Sequence, residues 1–311
     1  MSNAPTIDEL FERRMVYPDP DMQERLGRLV GLDDHKVRLS KVLGLLVNPA
    51  GLEGWMREQH PDGLPLVKTI LRRPPLVVLA GDVGAGKSEL AETIGDAVAR
   101  QEKIDITLFP MSLSTRGQGR VGEMTQLLSA AFDYTIAAAE KLKGAGRARG
   151  AVILLVDEAD ALAQSREAAQ MHHEDRAGVN AFIRGIDRIG NGRLPAAVIM
   201  CTNRLSALDP AVKRRAAEIL LFDRPTDDQR RAFLGEPLRR LGFTTQQIDA
   251  LVAATGTGKE REYGFTFSDI SQRLLPAIIL DAYPHGSIVP ARAIEIAKRI
   301  VPTPPFKDKS S

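Results

Sequence analysis

Short apolar runs rich in β-branched residues alternate along the chain with longer stretches whose apolar positions recur at helical spacing. Residues 76–80, 107–111, 152–156, 197–201 and 219–222 read as buried strands, and 87–100, 122–141, 176–189 and 210–217 as helices between them. Uninterrupted apolar strands separated by helices are the pattern of a parallel sheet covered on both faces. The chain up to about Phe222 is therefore expected to be a three-layer α/β/α domain. After Arg224-Pro225 the strand-like runs stop. Residues 226–241, 245–254, 268–283 and 290–300 carry only helical patterns broken by Gly and Pro, which predicts a small helical domain. The expected limits are an N-terminal tail at 1–25, the α/β domain at 26–224, the helical domain at 225–302 and a flexible, frayed tail from about 301–303 to 311.

Composition narrows the possibilities without naming a function. The 311 residues are 43% hydrophobic and 26% charged, which excludes a disordered, collagenous or coiled-coil chain. A net charge of +2 is too balanced for coating nucleic acid through bulk electrostatics, and the basic pairs Arg72-Arg73 and Arg239-Arg240 are scattered. Apolar runs such as 151–156 reach about a third of the ~18 residues a membrane helix needs. The first residues lack the apolar stretch of a secretory signal, and the single cysteine, Cys201, cannot form an internal disulfide. Together these features predict a chain of the reducing cytoplasm, outside the membrane. Cys201 sits in an apolar strand and is expected to be a buried structural thiol. His172-His173-Glu174-Asp175 lacks any supporting Cys or His cluster, so no metal site is expected there. Trp55, near Leu52 and Met56, is expected to pack on a helix.

The chemistry concentrates at two strand ends. The first strand runs into Gly81-Asp82-Val83-Gly84-Ala85-Gly86-Lys87-Ser88 and then a helix, the context that a Walker A phosphate loop requires. Glycines let backbone N–H groups curl toward phosphates, and the helix N-terminus adds positive potential. Lys87 would reach the β and γ phosphates and Ser88 would offer its hydroxyl to Mg²⁺. The strand at 151–156 ends in Asp157-Glu158, an acidic pair at the carboxyl edge of a parallel sheet, where open α/β folds bind ligands. In this Walker B arrangement Asp157 would hold the Mg²⁺ shell and Glu158 would polarise the attacking water. The next strand ends at Asn203, whose amide can bond both a water and a phosphate oxygen.

With GDVGAGKS, ILLVDEAD, MCTN and LDPAVKRRAAEI in order, the sequence resembles the AAA+ ATPases from about residue 29 to 283. The resemblance implies Asn203 as sensor 1, an arginine finger at Arg214-Arg215 acting on a neighbouring subunit's ATP, and a homohexamer. It also implies that the segment around Val30 and Gly31 packs on adenine. The candidate ATP contacts are thus Val30, Gly31, Asp82, Val83, Gly84, Ala85, Gly86, Lys87, Ser88 and Glu89, with Ser88 and Asp157 at Mg²⁺. The catalytic candidates are Lys87, Glu158, Asn203, Arg214 and Arg215.

Within AAA+, residues 175–181 with 186–189, 211–216 and 275–277 resemble the pachytene-checkpoint ATPases and their bacterial anti-phage relatives. That family implies remodelling of a HORMA-domain protein and aligns Arg215 with the finger. The entry segment LVGLDDHKVRL is also similar to rubisco-activase-type proteins, and a DNA-directed loader or motor is a further alternative. Only 28 residues precede Leu29, which predicts a form without an adaptor-binding domain. Residues 264–270 resemble the group lacking a sensor 2 arginine, leaving Arg273 as the candidate. The loop implied to face the central pore is 117–123, with Gly119, Arg120 and Val121 as substrate contacts.

Overall fold

The computed structural model describes residues 10–113, 123–144, 148–161, 173–258 and 261–306, with the backbone alone at 123, 161 and 173–176. By contacts the chain divides into two units. One comprises the chain up to Gly27, Asp34–Ala80 and Ser88–Leu221; the other Arg28–Asp33, Gly81–Lys87 and the chain from Phe222 onward.

The elements run β1 (Met15–Tyr17), α1 (Pro20–Arg28), α2 (Asp33–Val47), α3 (Pro49–Gln59), α4 (Leu66–Ile70), β2 (Leu76–Gly81) and α5 (Lys87–Glu102). They continue with β3 (Asp105–Ser112), α6 (Glu123–Leu142), β4 (Gly150–Asp157), α7 (His173–Gly192), β5 (Ala196–Thr202), α8 (Pro210–Lys213) and β6 (Ala216–Phe222). The sheet order is β1-β3-β4-β5-β2-β6. β3, β4, β5 and β2 pair in parallel, as the apolar runs predict, and β1 adds an antiparallel edge on β3. β2 lies between β5 and β6, so the strand order reverses at β2, where ligands of open parallel sheets bind.

The central strands β2, β4 and β5 are covered on both faces, and every residue of β5 is buried, whereas β6 is mostly half-buried. On one face Val78, Phe109, Leu154 and Met200 join Phe132 of α6 and Phe182 and Ile186 of α7 in one core. Cys201 is buried within β5, as expected. Trp55 corrects the packing expectation: α3 buries no residue, and Trp55 is 46% exposed with its ring edge-on to His60. Residues 10–28 form a strand and a helix that no apolar run announces. Tyr17 anchors them, fully buried, its hydroxyl donating to the Glu92 carbonyl, and burial pushes its pKa well above the ordinary phenol value.

The expected helix at 210–217 ends at Lys213. Asp209 caps it by accepting from Ala211 N, and the chain from Ala216 joins the sheet beside β2, so strand pairing overrides local helical pattern.

The second unit holds α9 (Asp227–Arg240), α10 (Thr245–Thr255), a π-helical turn (Asp269–Leu274), α11 (Leu275–Ala282) and α12 (Pro290–Arg299). Thr226 with Gln229 and Thr244 with Gln247 form capping boxes at the starts of α9 and α10. Leu234, Leu251, Phe265, Ile270, Leu274 and Ala297 share its core. The helix expected at 268–283 opens as a π turn because Pro276 has no N–H to continue the α ladder backward. The segment 301–306, expected to fray, is pinned at Thr303: its N–H and hydroxyl donate to Asp269 and its carbonyl accepts from Arg224.

Candidate nucleotide site

In the helical unit the loop Gly81–Lys87 curls because two of its glycines take left-handed backbone, φ +71° at Gly84 and +95° at Gly86. Gly84 is also a close approach. A Cβ there would lie 2.7 Å from Thr266 Oγ1 and 2.9 Å from Ser268 Cβ, and Ser268 N donates to the Gly84 carbonyl at 3.3 Å. Lys87, 7% exposed, donates its ammonium to the carbonyls of Gly81 (3.0 Å) and Asp82 (2.7 Å). Asp82 accepts from Val83 N at 2.8 Å and from Arg224 Nε at 2.5 Å. Val83 is exposed and Ala85 buried. Beside the half-buried Val30, Gly31 has φ +77° and accepts at 2.7 Å from Gln229 Nε2, whose Cγ leaves no room for a Cβ. The curled loop, the buried lysine and the exposed Ser88 at the start of α5 are the donor set that a polyphosphate and its magnesium ion require.

In the α/β unit the acidic strand tip is held by its neighbours. Register pairs Ser112 of β3 with Asp157 of β4. Ser112 donates its hydroxyl to Glu158 Oε2 at 2.6 Å, and Asp157 Oδ1 accepts from Glu158 N at 2.7 Å. Glu158 itself has φ +51°, a conformation that costs a non-glycine residue about 1–3 kcal/mol and persists where its surroundings over-determine it. One turn on, Asp160 accepts from Thr202 Oγ1 (2.8 Å), Asn203 N (2.7 Å) and Asn203 Nδ2 (3.0 Å). A carboxylate three residues past Asp157 thereby orients the amide at the tip of β5.

Arg215 donates through Nε and Nη2 to both carboxylate oxygens of Asp187 on α7, at 2.7 and 2.8 Å, and this pairing raises its pKa further. Arg214, the C-cap of α8, is exposed with no side-chain partner among the described residues. Glu89 turns to Arg25 of α1, with two bonds of 2.8 Å, so its side chain serves the α1–α5 contact. Arg273 reaches Asp269 at 3.1 Å. Gly119, Arg120, Val121 and His172 lie outside the described residues, as does the side chain of His173.

Five residues escaped sequence reasoning: Ser112, Asp160, Asp187, Arg224 and Gln229. Asp160 carried a signal, as the last letter of Asp157-Glu158-Ala159-Asp160, and Ser112 ends the strand before the acidic one. The other three show their roles only in three dimensions.

Residues 77–224 match the family model described as the ATPase family associated with various cellular activities (AAA), which sets the class of the fold. CD-NTase-associated protein 6 of Escherichia coli (strain MS 115-1) is 67% identical over 99% of this chain and 100% of its own length. Among solved structures, a chain of the E. coli MS115-1 HORMA:CdnC:Trip13 complex superposes with a TM-score of 0.90 at 67% identity, covering 97% of this chain and 99% of that one. The Rhizobiales Trip13 structure matches with a TM-score of 0.74 at 59% identity, over 95% of this chain and 100% of that one. The chain belongs to the AAA ATPases, in the group of CD-NTase-associated protein 6. It is a nucleotide-binding ATPase. Among the described residues no helix is long and apolar enough to cross a membrane.

Proposed function

We propose that the chain works in the cytoplasm as a homohexameric ring that uses ATP to unfold or disassemble a HORMA-domain protein complex, and so regulates a bacterial anti-phage signalling system. The observation that carries this reading is the full-length likeness to the chain solved together with HORMA and CdnC. The functional domains are taken as 26–224 and 225–302. Lys87 and the N–H groups of residues 82–88 hold the phosphates, with Val30 and Gly31 against the base. Mg²⁺, held by Ser88 and Asp157, would neutralise charge on the β and γ phosphates when bound. Glu158, oriented by Ser112, polarises the attacking water, and Asn203, oriented by Asp160, positions it. Arg214 reaches into the neighbouring subunit's site, while Arg215 anchors the finger segment to Asp187. The loop carrying Gly119, Arg120 and Val121 grips the substrate.

The test incubates the chain with the HORMA:CdnC complex of the 67% identical E. coli MS115-1 relative and follows partner release by size-exclusion chromatography. ATP, but not a non-hydrolysable analogue, should release the partner, and Arg120→Ala with Val121→Ala should abolish release while sparing basal hydrolysis. Steady ATP turnover with an intact HORMA complex would refute remodelling.

A further inference from the structure

Arg224 joins three segments that are far apart in sequence, all within the helical unit. Its Nε donates to Asp82 Oδ2 at 2.5 Å, Nη1 to the Gly264 carbonyl at 2.6 Å and Nη2 to the Thr303 carbonyl at 2.7 Å. The guanidinium also lies 4.9 Å from the centroid of the Tyr263 ring. The Arg224 and Asp82 side chains are 14% and 15% exposed, so this pair is shielded from solvent and unlike the open ion pairs of the surface.

Each end of the contact has a consequence. Asp82 is doubly held, since its other carboxylate oxygen accepts from Val83 N, and its main-chain carbonyl accepts from the Lys87 ammonium. The orientation of Asp82 therefore sets where that ammonium rests. At the other end, Thr303 uses all three of its polar groups. Its carbonyl goes to Arg224, and its N–H and hydroxyl go to Asp269, which is fully buried and also accepts from Thr266 N. Just before it, the Ile300 carbonyl accepts from Arg261 at 3.3 Å. Residues 300–303 are thus seated on the helical unit and tied through one guanidinium to the phosphate loop.

We propose that Arg224 is a positioning residue for the phosphate loop, and that it makes nucleotide affinity depend on the seating of the segment around Thr303. The proposal rests on the reading of Gly81–Ser88 as that loop. A lysine cannot replace Arg224, because one ammonium cannot serve three divergent acceptors as a planar fork does.

The experiment measures affinity for fluorescent N-methylanthraniloyl-ADP in the full-length chain, well below the unfolding temperature of each variant. Arg224→Lys should weaken binding roughly tenfold. Asp82→Asn, which keeps the side chain's shape, should weaken it similarly. Thr303→Val loses only the hydroxyl donor to Asp269 and should weaken binding a few-fold. Combining Arg224→Lys with Thr303→Val should add nothing beyond Arg224→Lys alone, since both act through one path. Unchanged affinity in Arg224→Lys and Asp82→Asn, or full additivity in the double variant, would overturn the proposal even where thermal stability falls. Lys87→Ala separates the two readings: if it binds nucleotide normally, the phosphate loop itself is misassigned; if it alone loses binding, only the role of Arg224 fails.

Discussion

The carboxylate edge of the α/β unit and the glycine-rich loop of the helical unit are both built from strand ends, yet they are held in different ways. At the edge the supports come from adjacent strands or the same turn: Ser112 beside Glu158, and Asp160 beneath Asn203. At the loop they come from across the chain, with Arg224 142 positions from Asp82 and Ser268, whose N–H donates to the Gly84 carbonyl, also far from it in sequence. A parallel sheet brings its strand tips together by register alone, so an edge site is supported as soon as the sheet forms. A glycine-rich loop has few side chains with which to fix itself, here Asp82 and Lys87, and depends on what packs over it for the rest. The edge should therefore respond to single substitutions at the step of chemistry, and the loop at the step of binding.

The largest expected effect lies at the finger segment of the α/β unit. Arg214→Ala should lower kcat about 10³-fold in assembled rings with nucleotide affinity preserved. Arg215→Ala should act less strongly, because Asp187 already occupies that guanidinium. Mixed rings of Arg214→Ala and Lys87→Ala subunits should regain part of the activity, as a residue acting on a neighbour's ATP can. A greater loss in Arg215→Ala, accompanied by faster turnover in Asp187→Ala, would make Arg215 the finger and Asp187 its latch.

Next, Glu158→Gln should keep nucleotide binding while phosphate release drops about 10²-fold or more, because the amide keeps the shape but loses the basic oxygen. Near-normal release would remove Glu158 from the role of activating water. Asp160→Ala removes the carboxylate that orients the Asn203 amide and should lower kcat about tenfold with little change in KM, since misplacement of a positioned group acts on the transition state. A shift in KM instead would erase the distinction between edge and loop.

The smallest effect concerns acid stability in the helical unit. Burial alone would raise the Asp269 pKa, but bonds from Thr266 and Thr303 and the Arg273 guanidinium outweigh it and hold the carboxyl below its ordinary value. A depressed folded value means that its stabilisation is present above the ordinary carboxylate pKa and is lost as pH falls through the folded value. Asp269→Asn should therefore lower the melting temperature by roughly 2–4 °C at pH 6, and the difference should shrink as pH falls below the ordinary carboxylate range. An equal deficit at pH 6 and below that range would show that the pair of acceptor oxygens, not the charge, is what Asp269 contributes.

The sequence by itself determined the parallel α/β fold, the helical unit, the glycine-rich turn after β2 and the acidic strand tip. Burial on both faces forces continuous apolar strands, and phosphate and water chemistry demand particular residue types within a few positions of each other. Both demands are local and can be read along one strand and its loop. Tertiary structure alone decided the antiparallel strand at Met15–Tyr17, the early end of α8, the exposure of Trp55 and the seating of Thr303, since each depends on a partner that no local pattern names. It also decided which charges are occupied. Arg214 and Arg215 are identical letters side by side, and only the approach of α7 gives one of them a carboxylate; Arg224 is one arginine among many until folding brings three distant carbonyl and carboxylate acceptors within reach of its planar head.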